Sequence, residues 1–168
     1  MWEVIDAADV YLAKPAPEEI GAQLLRPIKA VVGTLNPDGS IHLASVLFLW
    51  ENDRFYFETA SMTKKARNIR ERPNASFAID PPGFMAMAEG VARVITGDEA
   101  HEINGRLRSK YLTAEAMEAV GGAWGTIDDV GVEITPHKWR SWSSDRLIEM
   151  SQEAAGDLPP DQWWVPED

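Results

Sequence analysis

Apolar and polar positions alternate along several short runs of this chain, and clusters of Gly, Pro, Asn and Asp separate those runs. A period of two marks half-buried strands. Lys29–Leu35 is a β-branched run closed by Asn36-Pro37-Asp38-Gly39, a strong turn sequence. Ser40–Trp50 resumes as a strand, and Glu51-Asn52-Asp53 turns it into Arg54–Thr59. Links this short predict an antiparallel meander. Ala75–Asp80 reads as a fourth strand, turned by Pro81-Pro82-Gly83 into the longer Phe84–Ile95. Gly90 within that strand predicts the bulge or bend that a barrel needs. Val130–Trp142 is the last strand, with Pro136 as a candidate break.

Between the strands the period changes to that of helices. Pro17-Glu18-Glu19 followed by Ile20, Leu24 and Leu25 predicts a short helix ending near Arg26-Pro27. A basic helix over 64–72 stops before Pro73. Thr96-Gly97-Asp98-Glu99 fits a capping box, opening a helix whose apolar face is Ala100, Ile103, Leu107 and Tyr111. A shorter helix over about 114–120 is expected to end at Gly121-Gly122. Helices do not alternate with strands, which argues against parallel βαβ winding. The expected fold is mainly β: a six-stranded antiparallel barrel, closed or half-closed, with flanking helices. Residues 1–143 form that domain, with 1–16 as an N-terminal arm. Residues 144–168 carry seven acidic residues against Arg146, with a Pro159-Pro160 pair, and read as an extended acidic tail. Trp163-Trp164 would be costly to leave in water, so the tail is expected to dock on the barrel or on a second subunit.

Composition narrows the function classes. The 168 residues suffice for one domain with a real core, and the absence of cysteine excludes disulfides, thiolate nucleophiles and sulfur-ligated metals. A net charge of −11 argues against general nucleic-acid binding. No apolar run reaches membrane-spanning length, and Met1–Asp6 lacks the basic and apolar regions of a signal peptide, so a cytoplasmic location is expected. His42, His101 and His137 share no metal-ligand spacing. No phosphate-binding glycine motif, nucleophile elbow or local triad is present. Reactivity is therefore expected to come from a cofactor.

One segment points to where that cofactor sits. Phe55–Ile69 reads as a strand that stops in a polar turn with Ser61 and Thr63, then restarts as a helix at Lys64 and Lys65. A helix start exposes unpaired amides and the positive end of the peptide dipoles, which attract anions. Two ammonium groups and two hydroxyls there form a candidate phosphate cradle. Basic residues on an exposed helix are also ordinary solvated surface, so two readings stand for this segment.

These residues carry a resemblance. Gly33-Thr34-Leu35, Pro37-Asp38-Gly39, Ser45-Val46-Leu47-Phe48, the run from Thr59 through Thr63-Lys64-Lys65-Ala66-Arg67-Asn68-Ile69, and Glu89-Gly90 resemble the pyridoxamine 5′-phosphate oxidase-like split-barrel superfamily. Its deazaflavin (F420)-dependent oxidoreductase branch is the most similar. The resemblance covers about residues 20–143. It implies a six-stranded split barrel and a homodimer with flavin-type cofactors, F420 or FMN, at the subunit interface. It implies that the cofactor phosphate lies near Glu58, Thr59, Thr63, Lys64 and Lys65, and that its ring runs along Ser45, Val46, Leu47 and Phe48. A tryptophan from the second subunit, matched by Trp142, would abut the ring; Trp139 and Trp142 serve equally as interface plugs. The chain departs from true pyridoxamine phosphate oxidases. Leu43 and Phe48 stand where basic residues would be, and Arg146-Leu147-Ile148-Glu149-Met150 lacks the histidine and second arginine of the C-terminal motif. The implied activity is hydride transfer between F420, slightly favoured, or FMN and a small conjugated substrate, rather than vitamin B6 phosphate oxidation. The alternatives are a carrier that holds a flavin or haem without turnover, and a barrel that has lost its ligand. No side chain stands out as a proton donor; Tyr111, His137 and Arg140 are the candidates.

Overall fold

The computed structural model describes residues 17–124, 128–143, 145–159 and 162–163. Six strands lie within a residue or so of their expected bounds: β1 (Lys29–Leu35), β2 (Ile41–Glu51), β3 (Arg54–Ala60), β4 (Asn74–Ile79), β5 (Phe84–Ile95) and β6 (Asp129–Ser143). They close into an antiparallel barrel in the order β1-β2-β3-β6-β5-β4. Closure removes the exposed edges that an open sheet of these strands would carry. Inward positions fill the barrel with rings. Phe55 stacks on Phe77 at 4.0 Å and on Phe48 at 4.9 Å between centroids, and Trp139 meets Phe77 edge-on at 5.4 Å. These offset and edge contacts are the ones aromatic quadrupoles favour.

Gly90 has the expected role. The β5–β6 register shifts between Glu89 and Gly90, and a Cβ at Gly90 would stand 2.4 Å from the Thr135 carbonyl oxygen. Pro136 does not break β6. It faces Gly90 while Lys138 faces Glu89, so His137 is the extra residue of a bulge, and the proline's missing N–H falls where the ladder is already irregular.

Five helices flank the barrel: α1 (Pro17–Leu25), α2 (Lys64–Glu71), α3 (Gly97–Tyr111), α4 (Ala114–Trp124) and α5 (Asp145–Ala155). Three expectations are corrected here. The capping box does not form, because the Thr96 side chain makes no cap bond and Glu99 turns to Arg93 at 2.7 Å. A charged partner within reach outbids an exposed backbone amide. Helix α4 runs through Gly121-Gly122 to Trp124. Its end is fastened by Arg108, whose Nη2 donates to the Trp124 carbonyl at 3.4 Å and whose guanidinium lies 5.9 Å from the ring. Such contacts offset the roughly 1 kcal/mol that each glycine costs in a helix. The first part of the tail is helical rather than extended, since Ile148, Ser151 and Ala155 share one partly buried face at helical spacing. Trp163 donates its indole N–H to Leu158 O at 3.0 Å; Trp164 lies outside the described residues. Among the described residues no helix is long and apolar enough to cross a membrane.

Candidate functional site

The barrel parts at one place. The β2–β3 ladder begins at the Glu51–Arg54 pair and ends at Phe48–Phe57. Beyond it Ser45, Val46 and Leu47 pair only with β1, while Glu58 and Thr59 pair only with β6. A cavity of about 330 Å³ occupies the gap. Ser45, Val46 and Leu47 line one side and Glu58 and Thr59 the other, with Lys65 entering from α2. Leu107, Arg108, Tyr111 and Leu112 close it from α3, joined by Trp124 and Asp129.

Backbone alternation decides what β2 offers this gap. The amide and carbonyl of Phe48 meet the Tyr111 hydroxyl, which also contacts Ile28 O, on the β1 side. Backbone groups of successive strand residues point to opposite sides. Val46 therefore turns its own toward β1, and Ser45 directs its amide and carbonyl across the split.

Helix α2 is set by its buried side. Ala66, Asn68 and Ile69 are buried, and Asn68 Nδ2 donates to Thr34 Oγ1 at 3.1 Å and Asn36 Oδ1 at 3.0 Å. That anchors the helix to the β1–β2 turn and brings Lys65 to the cavity. Burial lowers the pKa of the Lys65 ammonium, so an anion that restored its charge would be favoured there. Thr63 occupies the position before the helix without capping it; its hydroxyl pairs with Thr59 Oγ1 at 3.0 Å. Ser61 is spent on Asp128, to which its hydroxyl donates, while Arg70 donates to the Ser61 carbonyl at 2.7 Å.

The opposite wall carries a charge cluster. Arg108 donates through Nε to Glu58 Oε2 at 3.0 Å and through Nη2 to Glu58 Oε1, and the same Nη2 reaches Asp129 Oδ2 at 3.3 Å. Burial raises the Glu58 carboxyl pKa, hydrogen bonding to Arg108 lowers it, and the neighbouring Asp129 raises it again; the net direction is upward.

Of the residues singled out from the sequence, Ser45, Val46, Leu47, Glu58, Thr59 and Lys65 meet at this cavity, and Thr63 adjoins it through Thr59. Lys64 is exposed and outside the lining. Phe48 is corrected: its ring is fully buried inside the barrel, because β2 alternates and Phe48 falls on the inward phase. Trp142 pairs with Met85 far along β6 and takes no part in this chain's own cavity. Among the candidate proton donors, Tyr111 lines the cavity with its hydroxyl committed to backbone. His137 and Arg140 border grooves elsewhere on the barrel. Arg108, Leu112, Trp124 and Asp129 were not foreseen. The available signal was Arg108 itself, a charged residue beside Leu107 on the apolar stripe of α3. No group of His, Asp or Glu able to hold a metal ion occurs among the described residues.

A second, larger groove of about 550 Å³ runs over the outer face of β1, β2, β4 and β5. Val31, Ile41 and Leu43 line it while remaining 44%, 68% and 64% exposed.

Comparison with known proteins gives the following likenesses. The family model for pyridoxamine 5′-phosphate oxidase matches residues 16–143. A pyridoxine/pyridoxamine 5′-phosphate oxidase from Acidothermus cellulolyticus is 28% identical over 154 residues, covering 88% of this chain. The match spans 62% of that relative's length, short of two thirds. The crystal structure of conserved hypothetical protein Rv2991 from Mycobacterium tuberculosis matches with a TM-score of 0.72 at 24% identity, covering 98% of this chain and 99% of that one. An F420 reductase matches with a TM-score of 0.59 at 23% identity, covering 74% of this chain and 98% of that one. The two structural likenesses concern the fold.

Proposed function

The chain belongs to the pyridoxamine 5′-phosphate oxidase family, and from that premise we propose that it is an oxidoreductase whose bound F420 or FMN serves a small conjugated substrate. One observation carries the proposal. The half-buried Lys65 ammonium, the Thr59–Thr63 hydroxyl pair and the open backbone edge at Ser45 converge on a single cavity.

The donor set fits such a group. A phosphate suits Lys65 and the first amides of α2, where charge and dipole act together. The edge of a flat heterocycle, with its alternating donors and acceptors, suits the amide and carbonyl of Ser45. Leu47, Leu107, Leu112 and Trp124 provide the apolar walls that a planar ring needs. When bound, the cofactor supplies hydride chemistry; the protein positions it and excludes water. The slight preference for F420 over FMN rests on the resemblance, in which Leu43 and Phe48 stand where flavin-holding basic residues would be; neither side chain lines this cavity. The Arg146–Met150 segment lacks the histidine and second arginine suited to pyridoxamine phosphate.

The active form in this proposal is a homodimer. The outer groove places Val31, Ile41 and Leu43 in solvent together, and Leu47, 37% exposed, belongs to the same outward side of β2 while also lining the cofactor cavity. A second copy seated on this face would cover these side chains and close the cavity's open side. Trp142 of that copy would then be available to the ring.

The test is a titration of purified protein with F420 and with FMN, followed by quenching of tryptophan fluorescence, for which Trp124 is the local reporter. Binding of either, with colour bleached by a reductant and restored by an acceptor, supports the oxidoreductase. A stable coloured complex that no acceptor discharges supports a carrier instead. Absence of binding by both overturns the proposal.

A further inference from the structure

Hydride transfer leaves the charge cluster of the split unused. Arg108, Glu58 and Asp129 have side chains only 9%, 16% and 14% exposed. Glu58 faces Gly131 and Ala60 faces Asp129 on adjacent strands, which sets both carboxyls on one side of the sheet. Both accept from the same Arg108 guanidinium, which brings the two carboxyls together. Two ionised carboxylates so close repel, and one guanidinium neutralises only one of them. A proton between them converts that repulsion into a hydrogen bond.

Among the described residues the other titratable groups of this cavity have other roles. Lys65, whose ammonium pKa burial lowers, is assigned above to the cofactor's anion. Tyr111 is held by Phe48 and Ile28. Trp124 contributes its ring and a carbonyl already bonded to Arg108. Asp128 is taken by Ser61.

We propose that Glu58 and Asp129 share one proton at the wall of the split, and that Glu58 delivers it to the substrate during reduction. This rests on the oxidoreductase reading above. The substrate, a carbonyl conjugated with a C=C bond, receives a hydride from the reduced cofactor at its β-carbon. The C=C π electrons shift onto the α-carbon, the Glu58 O–H bond breaks, and its proton forms the new α-C–H bond. The substrate thus gains a hydride and a proton, and the cofactor is left oxidised. Arg108 holds the extra negative charge on the pair until solvent returns a proton through the cavity mouth.

The first test is a pH titration of the side-chain carboxyls by NMR on the unliganded protein. Glu58 should titrate above the ordinary carboxylate range of about 3.9–4.3. Asp129→Asn should bring it down, and Glu58→Gln should abolish the high-pH titration. Ordinary titration of both groups overturns the proposal, whether or not a cofactor binds. The second test uses F420 and FMN as probes. With the bound probe at saturating concentration, Glu58→Gln should lower substrate reduction by about 10²–10⁴-fold and remove the alkaline limb of its pH profile. Wild-type turnover with an unchanged profile overturns the donor role. Failure of both probes to bind the wild type overturns the oxidoreductase reading and with it the donor role, while the NMR titration still decides the shared proton.

Discussion

The hydroxyl of Tyr111 is inserted into the backbone of β2 at Phe48. It accepts the Phe48 amide at 3.0 Å and lies 2.9 Å from the Phe48 carbonyl and 2.8 Å from that of Ile28. The β1–β2 ladder ends one residue earlier, at Lys29–Leu47, so one side chain does there what a strand neighbour would do. It thereby fixes the strand from which Ser45 faces the split. Tyr111→Phe keeps the ring and leaves the Phe48 amide unpartnered in a part-buried position. The expected loss is about 1–3 kcal/mol of stability, read as a lower urea midpoint with an unchanged slope. A wild-type midpoint would refute this role.

Lys110, one residue earlier, gives a pH dependence of definite sign. Its ammonium donates to Leu24 O at 2.9 Å and Phe48 O at 3.1 Å and lies 3.7 Å from the Phe48 ring centroid. Burial pushes its pKa from 10.5 down to about 8. Below about pH 8 the group is charged in both states, and the folded state bears the desolvation cost. Between about pH 8 and 10 the folded protein releases this proton first, so the unfolded chain binds more protons and stability from this group rises with pH. Lys65 acts with the same sign. Tyr56 and Tyr111, both raised by burial, oppose it only near and above pH 10. At a net charge of −11 general repulsion also grows with pH, so the diagnostic quantity is the difference between wild type and Lys110→Met. Wild type should gain on the variant across that window; parallel curves would sink the assignment.

Periodicity made the barrel readable and the site half readable, for one physical reason. Strand alternation, the Asn36–Gly39 turn and the Gly90 bulge are local, and each strand was legible from its own residues. Thr59 and Lys65 were legible as neighbours because a strand–turn–helix junction brings them to one cavity within a few residues. Arg108, Trp124 and Asp129 reach the same cavity from α3, α4 and β6, at 50, 66 and 71 residues along the chain from Glu58, and no local pattern encodes that meeting. Phe48 was misplaced by one step of alternation, which sends a side chain to the opposite face. The helix α5 was hidden by acidic composition and the proline pair that follows it.

The two lysines of α2 should separate cleanly. Lys65 lines the cavity and is half-buried, whereas Lys64 is exposed to solvent. Lys65→Ala should weaken binding of the phosphate-bearing cofactor by about 1–3 kcal/mol, the loss of a charge-assisted contact. Lys64→Ala should cost less, since an exposed charge is screened by water and salt. Dissociation constants from tryptophan quenching at two salt concentrations measure both effects. Equal losses from the two variants would mean that the cofactor's anion lies outside the split.

The outer face offers a test that leaves the barrel interior untouched. Leu43 is 64% exposed and Ile41 68% exposed, both beside the larger groove, so a monomer in water would gain nothing by keeping them apolar. Leu43→Glu places a charge within the proposed subunit contact. A monomeric protein should tolerate it with little change in thermal stability, because the side chain makes no core contact. A dimer should dissociate, since burying an unpaired carboxylate at an interface is strongly unfavourable. Sedimentation of wild type and variant decides between them. If dimerisation also closes the cofactor cavity at Leu47, then the dissociated variant should bind F420 or FMN more weakly even though every residue of the cavity itself is unchanged. Full affinity in a monomeric variant would separate assembly from cofactor binding and place the whole site within one chain.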